Sequence, residues 1–168
     1  RADIFFALYI PEVLEECLGV PVLPDLLPEF PVRIGTIYPN IKTDKSVKVD
    51  YVAISKDGST AYLIELKTDM GSRRTKQDDY LEAAQNLGFQ GLLSGLLEIF
   101  RATSAKRKYF SYLEHLENMG QLIIPESVKA IMNRPNIQGI TRESHGITVA
   151  SKVEQIRIVY IQPQGDLP

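Results

Sequence analysis

Asp50, Glu65 and Lys67 are residues whose types and spacing suit metal-dependent hydrolysis. Two carboxylates that converge on one point are ligands that a hard divalent cation such as Mg²⁺ prefers, with water and substrate oxygens completing its coordination. Lys67 follows Glu65 by two residues, so in a strand its ammonium lies on the same face. A cation there stabilises negative charge that develops on a phosphoryl oxygen. The three residues predict a phosphodiester-hydrolysing site, provided that the fold brings Asp50 to the other two.

A β-hairpin is the element that would position them. The runs 47–55 and 60–67 are rich in β-branched and aromatic residues, and Asp57-Gly58 lies between them. Asp-Gly between two such runs is a strong signal for a hairpin. Paired positions then have numbers that add up to 115, which places Asp50 opposite Glu65 with Cβ atoms about 4.5–5.5 Å apart. Like charges at that distance destabilise a sheet, and burial adds to the cost, so a bound cation is expected to offset both.

At these residues the sequence resembles the PD-(D/E)XK nuclease superfamily, which has the restriction-endonuclease-like fold. The resemblance is carried by Asp50, fourteen intervening residues, and then Glu65-Leu66-Lys67. Val49 stands where the family motif has proline, a departure that family members commonly show. The resemblance implies an α/β fold with a central mixed β-sheet flanked by helices.

The resemblance also implies a role for each motif residue. Asp50 and Glu65 would bind Mg²⁺, for which Mn²⁺ is expected to substitute, and the Leu66 backbone carbonyl would be a further ligand. Lys67 would assist the attacking water or stabilise charge. Asp50, Glu65 and Lys67 are therefore the predicted catalytic residues, and hydrolysis would use a metal-activated water.

Many members add an acidic residue from the first helix, for which the candidates are Glu12, Glu15 and Glu16. Glu16 is the favoured one, although the sequence does not decide among the three. Gln77 and Tyr80 resemble a Gln and Tyr pair that exonuclease-type members place near the phosphate, but their spacing is one residue shorter than usual.

Two basic clusters are candidates for contact with a phosphate backbone. Solvated helix ends explain them about as well. The first cluster is predicted to bind substrate with Gln77 and Tyr80. The clusters are Arg73, Arg74 and Lys76, and then Arg101, Lys106, Arg107 and Lys108.

The remaining patterns predict an alternation of helices and strands. The segment 4–18 favours a helix, and the proline-rich stretch after it leaves at most a short strand at Val32–Tyr38. Both hairpin strands are apolar on both faces, which is typical of a sheet covered on two sides. Residues 80–100 have helical periodicity with Gly88 as the candidate break. Further elements are a helix at 109–119 ended by Gly120, a short helix at 127–134 and a strand at Val153–Gln162.

Length and composition limit the class of protein. The 168 residues predict a single domain over 1–168, with 19 Lys and Arg against 21 Asp and Glu giving a net charge of −2. That balance excludes a global field that would recruit nucleic acid, so any polyanion site must be local. No apolar run approaches the roughly 20 residues of a membrane helix. The single Cys17 is compatible with a cytoplasmic location, and neither His115 nor His145 has a partner at zinc spacing.

The sequence therefore predicts an Mg²⁺-dependent phosphodiesterase that acts on nucleic acid. We interpret the substrate as DNA rather than RNA, although the sequence does not decide between them. The alternative is a non-catalytic binding or protein-interaction module that retains the nuclease fold. Cutting both strands of a duplex would call for two sites, so a homodimer is compatible with the first interpretation. The choice between cutting ends and cutting internal bonds stays open.

Overall fold

A computed structural model describes residues 7–67 and 75–162, which form an α/β fold around a mixed four-stranded sheet. The sheet order is β1-β2-β3-β6, in which β1, β2 and β3 are antiparallel and β6 runs parallel to β3. A separate pair, β4 and β5, is antiparallel. The strands are β1 Leu27–Arg33, β2 Ser46–Ile54, β3 Thr60–Leu66, β4 Leu122–Ile123, β5 Thr148–Val149 and β6 Gln155–Ile161.

Helices cover both faces of the large sheet. The predicted break near Gly88 is confirmed, because this glycine has a φ of +82° and separates two helices. The predicted helix end near Gly120 is also confirmed, because this glycine has a φ of +72° and follows the helix Lys106–Asn118. The helices are α1 Ile10–Leu18, α2 Ile34–Ile37, α3 Thr75–Leu87, α4 Phe89–Ala102, α5 Lys106–Asn118, α6 Glu126–Met132 and α7 Ile140–Glu143, with a 3₁₀ turn at Ser144–Gly146.

The sheet has two apolar faces, as the hairpin strands predict. Val52, Ile54 and Leu63 belong to the larger core, which α3, α4 and α5 complete. The alternate residues of the same strands, including Tyr51 and Tyr62, pack against α1 on the opposite face. The part of the predicted first helix before residue 7 lies outside the described residues.

The hairpin register agrees with the prediction. Tyr51 pairs with Ile64 and Ile54 pairs with Ala61, so the paired numbers add up to 115. Gly58 has a φ of +75°, and the Asp57 carboxylate accepts hydrogen bonds from the hydroxyls of Ser55 and Ser59. These bonds hold the pKa of Asp57 below its usual value. The turn thus sets which residues of β2 and β3 face each other.

The predicted strand at Val32–Tyr38 is wrong in position. The strand β1 begins at Leu27, includes Pro28 and Pro31, and gives way to the short helix α2. Proline is tolerated in β1 because this strand lies at the edge of the sheet, where a missing N–H need not remove a bond of the ladder. Prolines in the sequence suggested irregular structure, whereas the edge position allows a strand.

No helix in the described ranges 7–67 and 75–162 is both long enough and apolar enough to cross a membrane.

Candidate metal site

The site begins at an irregularity shared by β1 and β2. Val49 and Val52 both point into the larger core, although residues three apart in a regular strand face opposite sides. On β1 the position across from Asp50 is Glu29, which has a φ of +50°. The register pairs the residues on either side but not Glu29 with Asp50. In both strands, therefore, the regular alternation of side chains between the two faces of the sheet is interrupted at this point.

The Asp50 side chain crosses from β2 to β3 at the irregularity. Its Oδ2 accepts a hydrogen bond from the Leu66 backbone N–H at 2.8 Å. The backbone pairing of the two strands ends one step earlier, at Tyr51 and Ile64. Because the N–H and C=O of an extended residue point to the same side, the Leu66 carbonyl is also directed toward β2. Asp50 and the Leu66 carbonyl, two of the predicted ligands, thus lie at one end of the hairpin.

Glu65 is the most buried charged residue of the site, with 2 % of its surface exposed. The pKa of Glu65 is raised to about 7, because burial and then the neighbouring Asp50 carboxyl raise it by more than Lys67 lowers it. Its Oε1 atom is buried and has no hydrogen-bond partner in the part of the chain that the structure describes. A proton on the carboxyl group or a bound cation would satisfy that oxygen.

Gln77 of α3 links Lys67 to Glu65. The Lys67 ammonium donates to Gln77 Oε1 at 2.7 Å, and Gln77 Nε2 donates to Glu65 Oε2 at 2.5 Å. The direct distance from Lys67 Nζ to Glu65 Oε2 is 3.6 Å. One amide therefore holds both predicted catalytic side chains on the α3 side of the sheet, where the two-residue spacing of Glu65 and Lys67 is expected to place them.

Tyr160 of β6 is a site residue that the sequence analysis does not identify. It pairs with Glu65 in the parallel register, and its ring lies 5.8 Å from Lys67 Nζ. Its hydroxyl donates a short hydrogen bond to Asp78 of α3. An ammonium within about 6 Å of an aromatic ring is attracted to it. The sequence signal is only the alternation of β6, because the pairing of β6 with β3 is distant in the chain.

We expect Tyr160→Phe to lower the free energy of unfolding by about 1 kcal/mol, since it removes the hydrogen bond to Asp78 and keeps the ring. Tyr160→Leu should cost about 0.5–1 kcal/mol more, because it also removes the ring beneath Lys67. Urea unfolding at neutral pH measures both. Tyr109→Phe, at another half-buried tyrosine, is the control. Equal stabilities for Tyr160→Phe and Tyr160→Leu would contradict the stabilising contact between ring and ammonium.

The acidic candidates of α1 do not join the site. Glu12, Glu15 and Glu16 are exposed on a helix that packs against the face opposite Gln77. Within residues 7–67 and 75–162 there is no group of three or more His, Cys, Asp or Glu side chains that could hold a metal ion. The structure therefore brings together two carboxylates, Asp50 and Glu65, and leaves Glu16 apart from them.

The other predicted substrate-binding residues are placed only in part. Tyr80 lines a cavity of about 20 Å³ beside Glu65 and Gln77, which is space for roughly one water molecule. Its ring also packs against that of Tyr38 at a centroid distance of 5.8 Å. Arg73 and Arg74 lie outside the described residues, and the same holds for the side chain of Lys76.

The second basic cluster has mostly structural contacts. Lys106 is buried and donates to the backbone carbonyls of Phe100 and Arg101 at the end of α4. Arg101 forms an ion pair with Glu98. Arg107 donates to the carbonyl of Met132 at the end of α6 and to that of Arg134 in the loop that follows. Of the four basic residues, Lys108 is the exposed one without such a contact.

The donor set suits a hard divalent cation. Asp50, Glu65 and the Leu66 carbonyl supply oxygen ligands, and the buried Glu65 Oε1 needs a positive partner when the carboxyl group is ionised. Two protein carboxylates with open positions are typical of Mg²⁺, which keeps several waters.

Comparison of the chain with protein-family models, curated proteins and solved structures gives no match.

Proposed function

We propose that the chain is an Mg²⁺-dependent nuclease of the PD-(D/E)XK superfamily, with a restriction-endonuclease-like core, that hydrolyses phosphodiester bonds in nucleic acid, DNA in preference to RNA. The observation that carries the proposal is the meeting of Asp50 and Glu65 at the end of the hairpin, with a buried carboxylate oxygen that lacks a partner among the described residues. The mixed sheet with helices on both faces is compatible with that core.

Each residue has a role that follows from its contacts. Asp50, Glu65 and the Leu66 carbonyl would hold Mg²⁺, which when bound supplies a Lewis acid that polarises a phosphoryl oxygen and makes water more acidic. Lys67 provides a buried positive charge beside these ligands, where it stabilises negative charge on the phosphoryl group. Gln77 and Tyr160 hold the Lys67 ammonium in that position.

The proposal is tested with the wild-type chain. We expect calorimetric titration with Mn²⁺ or Mg²⁺ to show one binding event per chain, and labelled DNA to be cleaved in the presence of metal but not in EDTA. RNA of the same sequence is the parallel substrate. Absence of metal binding would reject the nuclease and favour the non-catalytic module. The mass of the complex with duplex DNA tests whether two copies act together.

A further inference from the structure

A basic surface separate from the candidate metal site is formed by the loop between α6 and α7 and by the start of α7. It is an open concavity of about 790 Å³. None of its lining residues belongs to the candidate metal site. We call it the 134–142 surface, and it is lined by Arg134, Pro135, Asn136, Gln138, Gly139 and Arg142.

Arg107 of α5 holds this loop in shape. Its Nη1 donates to the Met132 carbonyl at 2.7 Å, and its Nη2 donates to the carbonyls of Arg134 at 2.6 Å and Pro135 at 3.3 Å. Three bonds from one guanidinium fix the backbone that carries Arg134. The guanidinium also places a permanent positive charge against the backbone of this loop, because arginine stays protonated in proteins.

The charge of this part of the chain differs from that of the whole. Residues 101–142 contain seven Lys and Arg against three Glu, whereas the full chain has a net charge of −2. The loop 133–139 has no acidic residue. The loop therefore carries the positive charge of Arg134 and no negative charge of its own, and local charge of one sign attracts a polyanion even when the net charge is negative.

The side chains of the surface are available to a ligand. Arg134 is exposed and forms no ion pair with a described residue. Arg142 is 88 % exposed and has one ion pair, to Glu143 at 3.3 Å, of a kind that contributes little in water. The Asn136 side-chain Oδ1 accepts a hydrogen bond from the Gln138 backbone N–H, which leaves the Asn136 side-chain NH₂ group as a donor.

We propose that the 134–142 surface binds phosphodiester groups of a nucleic acid backbone. Guanidinium groups match the geometry of phosphate oxygens in pairs, and amide donors add hydrogen bonds. The concavity is open and broad, which suits an extended chain of phosphates better than one small anion. The choice of nucleic acid as the polyanion rests on the proposed function, whereas the affinity for phosphodiesters rests on this surface.

The test compares two double variants in EDTA, where metal-dependent cleavage is blocked. Arg134→Ala/Arg142→Ala removes the two arginines of the surface, and Lys152→Ala/Arg157→Ala removes two exposed charges elsewhere. Fluorescence anisotropy with labelled duplex and single-stranded DNA should show at least about a 10-fold loss of affinity in the first variant only. The slope of log affinity against log salt should fall by about 2 for duplex DNA, because two phosphate contacts are lost.

Several outcomes would overturn the proposal. The wild-type chain could bind neither form of DNA, or the two double variants could lose DNA affinity equally. Competition by inorganic phosphate at the same concentration as the DNA phosphate would also overturn the proposal, because it would indicate a site for a single anion. Thermal unfolding confirms that each variant folds. Cleavage by the wild type with unchanged DNA binding in Arg134→Ala/Arg142→Ala would reject this surface but keep the nuclease. DNA binding that depends on the two arginines, in a chain that does not cleave DNA, would keep this surface and reject the nuclease.

Discussion

Asp50→Asn is expected to lower the rate of metal-dependent DNA cleavage by at least about 100-fold and to remove the Mn²⁺ binding that calorimetry is expected to show for the wild type. The substitution keeps an oxygen that can accept the hydrogen bond from the Leu66 N–H, so the end of the hairpin should be preserved. It removes one of the two carboxylates of the site. Loss of function would therefore reflect a missing charge rather than a changed fold.

Asp25→Asn, at an exposed loop position, is the matched control and should cleave like the wild type. Circular dichroism and urea unfolding establish that both variants are folded. Cleavage at the wild-type rate by Asp50→Asn would reject Asp50 as a ligand. Unchanged Mn²⁺ affinity with lost cleavage would instead limit Asp50 to a role in substrate binding.

Glu65→Gln is expected to stabilise the metal-free protein at alkaline pH. The pKa of Glu65 is raised to about 7 from its ordinary value of 4.5, mainly by burial and then by the neighbouring Asp50. A carboxyl group whose pKa is raised in the folded state contributes its full stability to the fold at a pH below its pKa in the unfolded chain. That contribution is lost as the pH rises through its pKa in the folded protein. The difference in free energy of unfolding between variant and wild type should thus grow by about 3 kcal/mol from pH 4.5 to pH 8.

Urea unfolding in EDTA at several pH values measures this difference. Glutamine keeps an oxygen for the Gln77 amide, so the change removes the charge and little else. Glu154→Gln, at an exposed position, is the control and should show a nearly constant difference across the same range. A Glu65→Gln variant that becomes less stable than wild type as the pH rises would indicate that the attraction of the Glu65 carboxylate to Lys67 outweighs the cost of burying its charge.

The meeting of the two carboxylates follows from local sequence. Asp57-Gly58 sets the register of the hairpin, and the register brings Asp50 to the same end as Glu65. Turn chemistry of this kind depends on a few neighbouring residues, which is why it is readable without the rest of the fold. The two-sided sheet is predictable for a similar reason, since both strands are apolar on both faces.

The detailed contact of Asp50 is not predictable in this way. A regular ladder would place its side chain directly across from that of Glu65, whereas the structure turns its carboxylate to the Leu66 N–H. This orientation occurs where β1 has the irregular Glu29, and the prolines of β1 make that strand difficult to predict from the sequence. Such features arise from the pairing of strands rather than from any one segment.

The contacts of Lys67 cannot be predicted from the sequence, for a different reason. Gln77 is visible as a polar residue at the start of a helix, but its link to Glu65 depends on how α3 packs on the sheet. Tyr160 reaches Lys67 only because β6 pairs with β3 in parallel across a long separation in the chain. No local pattern specifies the partner of a parallel strand.

The prolines of β1 have a consequence for self-association. An edge strand with a continuous row of free N–H and C=O groups is a template on which a second chain can add and aggregate. Pro28 and Pro31 remove two donors from β1, and the left-handed backbone of Glu29 bends the strand between them. Growth of the sheet through this edge is therefore disfavoured, and this protects a fold whose central strands carry apolar residues on both faces.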